Sequence, residues 1–77
     1  MKEMMIKLGS IDAVKEFVAL ANGCAFDVDL VSGRYAVDAK SIMGIFSLNL
    51  DKPVKLVVHS DGSAAEDFVD AVKKFAA

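Results

Sequence analysis

Cysteine, histidine and proline each occur once in this chain, and tryptophan does not occur at all. A single cysteine, Cys24, excludes an intrachain disulfide and any metal cluster built on thiolates. No second cysteine two residues away and no neighbouring base activates it, so it reads as a small apolar group buried just past a helix end. A single histidine, His59, leaves no histidine-based metal site. Positive charge is also short. Nine Lys and Arg face eleven Asp and Glu, for a net charge of −2, and the basic residues are scattered rather than blocked. A general binder of nucleic acid needs the opposite balance to neutralise phosphates. No apolar run approaches the roughly 18–20 residues that span a bilayer. Met1 to Lys7 carry neither a long apolar stretch nor a small-residue cleavage site, so they do not read as a secretory signal. A cytoplasmic protein without cofactor or membrane insertion is expected.

What the chain does have is apolar side chains, at 55% of 77 residues. A domain of this size buries only about 60% of the surface its unfolded chain exposes, so one core over residues 1–77 is the expectation. Net stability should be roughly 4–12 kcal/mol, at about 0.05–0.15 kcal/mol per residue.

The apolar spacing changes period along the chain. Met4, Ile6 and Leu8 alternate with Met5 and Lys7, as in a half-buried strand. Gly9-Ser10 breaks that strand, and Ser10 is placed to cap a helix whose buried stripe is Ile11, Val14, Phe17, Val18 and Ala21. Gly23 suits a left-handed turn after that helix. Phe26, Val28 and Leu30 alternate with Asp27 and Asp29 in a second strand. Ser32-Gly33 marks a tight turn, and Arg34 to Asp38 return as a third strand with Tyr35 and Val37 on one side.

Ser41 then opens a short helix with two apolar faces, one of Ile42, Ile45 and Leu48 or Asn49, the other of Met43, Phe46 and Leu50. Such a helix is either swallowed by the core or shows one face to a partner. Asp51-Lys52-Pro53 turns into a fourth strand of Val54, Leu56 and Val58. Ser63 and Glu66 read as a capping box for a last helix, with Phe68, Val69, Val72, Phe75 and Ala76 inward and Lys73 and Lys74 in its final turn. The order β-α-β-β-α-β-α predicts an α+β fold: a four-stranded, mostly antiparallel sheet with three helices on one face and the other face wet.

The stretch Ala39-Lys40-Ser41-Ile42-Met43-Gly44-Ile45-Phe46-Ser47-Leu48 resembles the regulatory-serine segment of HPr, the small phosphocarrier of the bacterial phosphoenolpyruvate-dependent sugar phosphotransferase system. The resemblance runs without gaps from Ser10 to Leu50, is specific only from Lys40 to Leu48, and implies the same open-faced sandwich. It implies that Ser41 is a target for phosphorylation by an HPr kinase, and that Met43 and Phe46 belong to a partner-binding surface. In that family a His-x-Arg-Pro motif at the start of the first helix carries the phosphate. Here Ser10-Ile11-Asp12-Ala13 stand in its place.

That replacement has direct chemical consequences. Imidazole is nucleophilic near neutral pH and passes phosphate on, whereas a serine ester is a stable dead end. Asp12 stands where the family has an arginine, so attraction for a phosphate becomes repulsion, worth about 4 kcal/mol per charge pair at 4 Å and an effective dielectric of 20 before screening. The expected function is therefore a non-catalytic HPr-like protein that acts by binding, resembling the catabolite-repression homologue of HPr, with a kinase or a transcriptional regulator as partner. Two other readings stay open: a phosphocarrier with Ser10 or His59 as an unusual acceptor, and an interaction domain unrelated to sugar transport. His59 itself reads as an open-face or strand-end residue. Asp27, Asp29 and Asp38 read as a solvated strand surface rather than a divalent-ion site, and Gly9-Ser10 as a turn and cap rather than an anion site.

Overall fold

The computed structural model describes residues 1–77. Its elements are β1 (Lys2–Ile6), α1 (Ile11–Asn22), β2 (Val28–Ser32), β3 (Tyr35–Asp38), α2 (Ile42–Phe46), β4 (Val54–Val58) and α3 (Ser63–Val72), followed by a 3-10 turn over Lys73–Phe75. The four strands form one sheet in the order β1-β4-β2-β3, with every neighbouring pair antiparallel. Three helices cover it in an open-faced α+β sandwich, the architecture expected from the periodicity. No helix is long and apolar enough to cross a membrane.

Strand register explains which residues go inside. Met4, Leu56, Leu30 and Val37 stand opposite one another across all four strands, and Val28 faces Val58 one row along. Because side chains alternate across a sheet, these rows point to the helices. Leu30, Leu56, Val28 and Val58 are buried there with Val14, Phe17 and Ala21 of α1, Ile45 of α2, and Ala65, Phe68 and Val72 of α3. Phe17 anchors the layer between helices, with its ring centroid 6.2 Å from Phe68 and 6.3 Å from Phe75. The opposite face carries the row Glu3, Val57, Asp29 and Asp38. Val57 is buried even so, because the central strand β4 has neighbours on both sides.

The β2–β3 hairpin closes on Gly33-Arg34, with Ser32 paired to Tyr35. Gly33 has φ 59° and is the chain's only residue with positive φ. That is the requirement of a type II′ turn at its first central position. The free edge of β1 is partly covered by the chain's own end: Lys7 N donates to Phe75 O, Ala77 N donates to Met5 O, and Ile6 bridges to Ala76. Covering an edge removes a template for pairing with other chains.

Several boundaries differ from the sequence reading. β1 stops at Ile6, although Leu8 is buried as expected. Ile11 stays exposed in the first turn of α1 instead of joining its buried stripe, and Val18 is half-buried. Gly23 is right-handed at φ −77°, its N–H donating to Leu20 O and the Cys24 N–H to Ala21 O, so α1 ends by tightening rather than by reversing. Phe26 lies before β2 and is half-buried, its ring 6.3 Å from Phe68, and Tyr35 points to solvent beside the hairpin turn. Cys24 is half-buried rather than buried.

The capping box at Ser63 does not form. Gly62 is the N-cap of α3, and its carbonyl accepts from Ala65 and Glu66 N–H groups. Starting the helix one residue early puts Glu66 in the fourth helical position, out of register for the reciprocal bond. Lys73 and Lys74 fall in the 3-10 turn, where they pair with Asp70 and Glu16. Ala76 is an exposed edge residue, not part of the helical stripe.

Candidate functional site

Ser10 and Ser41 stand at the starts of two adjacent helices. Ser10 is extended (φ −147°, ψ 162°), and its Oγ accepts from Ala13 N at 3.1 Å. Ser41 is extended as well (φ −104°, ψ 108°), and its Oγ accepts from Gly44 N at 3.2 Å. Both are side-chain N-caps, as serine before an apolar helical run should be. Each hydroxyl proton is left free and each residue is exposed.

What surrounds them differs. Ser10 sits on the rim of a shallow groove of about 220 Å³, with Leu8, Gly9, Ile11, Phe46, Leu50 and Asp51. The only charged residue lining that groove is Asp51. Asp12, two residues on, is exposed and has no ion-pair partner within the chain. No base hydrogen-bonds to the Ser10 hydroxyl, and no cation lines the groove. Ser41 instead is followed at once by α2, whose outer face is apolar. Met43 is 77% exposed and Phe46 43%, and Ile11 of α1 adds a third large apolar side chain at 62%. Ile45 and Leu48 turn inward and Ile42 is half-buried, so the two apolar faces of α2 divide between core and solvent.

Gly44 stands where a side chain would crowd the Ser41 cap. A Cβ there would lie 3.3 Å from Ser41 Oγ and 3.4 Å from Val37 Cβ, closer than most real contacts. The Ser-Ile-Met-Gly order thus fits the cap: serine supplies the acceptor, and glycine lets the first turn approach it. Of the other serines, Ser47 ends α2 and its hydroxyl donates to Gly44 O, whereas Ser63 is the exposed first residue of α3 with no side-chain cap bond.

His59 lies just past β4 on the open face of the sheet. Its Nε2 is 2.8 Å from Asp29 Oδ2, and its backbone N–H donates to Asp27 O. Asp27, Asp29, Asp38 and His59 together line a hollow of about 490 Å³. The sequence did not show that they meet, because only strand pairing brings residue 59 to residue 29 and residue 29 to residue 38. No set of three His, Cys, Asp or Glu side chains is arranged to hold a metal ion. His59 is far from Ser10 in the topology, on the other side of the sheet from the helices.

The segment before Ser41 is tied to the end of α1. Lys40 Nζ donates to Cys24 O at 3.0 Å, and Asn22 Nδ2 donates to Lys40 O at 3.2 Å. Burial pushes the Cys24 thiol pKa up, and the nearby Lys40 charge partly opposes that rise. Ile11, Asn22 and this Lys40 tie were not legible as site residues, with the Lys40-Ser41 sequence their only signal, whereas Leu50 already shared an apolar face with Met43 and Phe46 in the sequence and lines the groove at Ser10 with Phe46.

Comparison with known proteins places these features in a family. The model of the HPr component phosphorylation site of the phosphotransferase system matches residues 11–77, beginning one residue after Ser10. The crystal structure of HPr-C-His from Thermoanaerobacter tengcongensis is 29% identical, with 96% of this chain and 93% of that one covered at a TM-score of 0.76. The phosphocarrier protein HPr from Bacillus anthracis is 26% identical over 99% of this chain and 94% of its own, at a TM-score of 0.71. No curated protein matches the chain. With the family model spanning all but the first ten residues, and the fold shared from end to end, this chain belongs to the HPr family of the phosphotransferase system, whose members are phosphocarriers rather than enzymes.

Proposed function

We propose that this HPr-family protein acts by being bound, with Ser41 as its modification site and Met43 and Phe46 as the core of its docking surface. The observation that carries the reading is the contrast between two similar caps. Ser41 presents a free hydroxyl two residues before the exposed Met43, at the head of the helix whose outer face also carries Phe46, whereas Ser10 shares the groove at Phe46 with Asp51 as its one charged lining residue and Asp12 close by in sequence. A kinase that docks on an apolar ridge has one here, next to its target. The partner class is a protein, such as an HPr kinase or a transcriptional regulator that reads the modified serine.

Phosphoryl relay is disfavoured by the same facts. A phosphate arriving at Ser10 would meet carboxylates instead of a guanidinium, and a phosphoserine there would not pass its group on. His59 supports the second reading better than Ser10 does. Asp29 engages one ring nitrogen and leaves the other available, the arrangement that prepares an imidazole for attack. Against it, Asp27 and Asp38 share the hollow and would repel an incoming phosphate. The test is incubation with nucleoside triphosphate and a bacterial HPr kinase, followed by mass mapping. A phosphate on Ser41 supports the reading. An acid-labile phosphate acquired from Enzyme I and phosphoenolpyruvate would replace it with the carrier reading.

A further inference from the structure

Lys40 is half-buried, and its ammonium bonds a neutral carbonyl. It makes no ion pair with any carboxylate of the chain, although Asp38 lies two residues away and accepts the Lys40 backbone N–H at 2.9 Å. Around it the contacts are reciprocal. The Lys40 side chain holds Cys24 O at 3.0 Å, and Asn22, bonded to Val18 O at 2.9 Å, holds Lys40 O at 3.2 Å. Ser41 N donates to Asp38 O at 3.0 Å, which fixes the other side of the segment. The end of α1 and the residue before Ser41 are therefore clasped by two bonds, one of which uses a charge on an acceptor that does not need one.

We propose that Lys40 is a latch read by the modification state of Ser41: a phosphate on Ser41 draws the Lys40 ammonium away from Cys24 O and leaves the end of α1 held to the segment that carries the serine by the Asn22 bond to Lys40 O alone. The inference rests on Ser41 being the modified residue. Adjacent Cα atoms are about 3.8 Å apart, within easy reach of a lysine side chain. A phosphoserine brings a charge of about −1.5 to −2 and three acceptor oxygens, so the ammonium trades a neutral acceptor for one of opposite charge and gains a direct charge–charge attraction. The exchange leaves Cys24 O without its charged donor, whereas Asn22 keeps its bond to Val18 O. Gly23 and Cys24, whose N–H groups close the last turn of α1, are the residues that loosen. The signal at Ser41 would then reach beyond α2 to the helix that carries Ile11.

The chain's single cysteine makes the test direct. A thioester of residues 1–23 ligated to residues 24–77 at Cys24 installs phosphoserine at position 41 without a kinase. The expected result is a shift of the Cys24 carbonyl carbon and the Asn22 side-chain amide in NMR spectra, with amide exchange at Gly23 and Cys24 about tenfold faster. In Lys40→Met the exchange should already be fast, and phosphate should change it less than twofold, while Lys40→Arg should restore the response. An unchanged Cys24 carbonyl on phosphorylation, or an equal response in Lys40→Met, would overturn the latch. A kinase that leaves Ser41 unmodified would instead remove the proposed modification and not touch this result.

Discussion

Ser10 and Ser41 do the same work at the starts of α1 and α2, each Oγ accepting the N–H three residues on, at 3.1 Å and 3.2 Å. Local chemistry made them equivalent, and their surroundings made them different. Replacing either with alanine should cost about 0.5–2 kcal/mol through the lost cap, as read from urea unfolding. Loss of phosphorylation by an HPr kinase should follow only Ser41→Ala.

The Ser10 and Asp12 pair gives a graded expectation for phosphate from Enzyme I and phosphoenolpyruvate. The native chain should show no mass increase. Ser10→His together with Asp12→Arg should accept some phosphate, and Ser10→His alone less, because Asp12 still repels the donor. Equal acceptance by the single and double variants would show that Asp12 does not act on the incoming group.

Met43 and Phe17 should separate docking from folding. Met43→Lys changes a side chain that is mostly in water, so stability should move by less than about 0.5 kcal/mol while the rate of Ser41 modification falls. Phe17→Ala removes a buried ring between α1 and α3 and should cost about 3–5 kcal/mol, a large share of the total. Modification unaffected by Met43→Lys would place the docking surface elsewhere.

Asp29 and Asp38 face each other directly across β2 and β3, with His59 bound to Asp29 alone. Like charges directly opposite in a sheet are unfavourable. Asp38→Asn keeps an oxygen for the Lys40 N–H and should raise stability by about 0.2–1 kcal/mol near pH 7. A lower unfolding midpoint would show that the Asp38 charge is needed by Lys40 or its neighbours.

Cys24 should leave a mark on stability at alkaline pH. Burial raises its thiol pKa in the folded chain, so the folded state holds the proton longer than the unfolded state. The contribution is full below about pH 8.5, where an unfolded cysteine begins to ionise, and it is lost as pH rises through the folded value. Cys24→Ala should therefore flatten the alkaline fall of the unfolding midpoint, and an unchanged slope would rule the thiol out as its source.

The order of elements, the helical stripes and both serine caps were determined by residues no more than four apart, which is why periodicity alone revealed them. So was the Gly33 turn, where one residue had to adopt φ 59°. Ser63 and Glu66 show the limit of that logic, because a start one residue earlier at Gly62 left their spacing without its bond. That Ser10 to Ala13 hold neither histidine nor arginine was also plain in the sequence. The tertiary structure alone decided which face of α2 stays wet. It also set His59 against Asp29, laid residues 75–77 along β1, and joined Lys40 to Cys24. These contacts link residues sixteen to seventy-two positions apart. Their partners are chosen by strand register and helix packing, which the whole chain sets at once, rather than by any local preference.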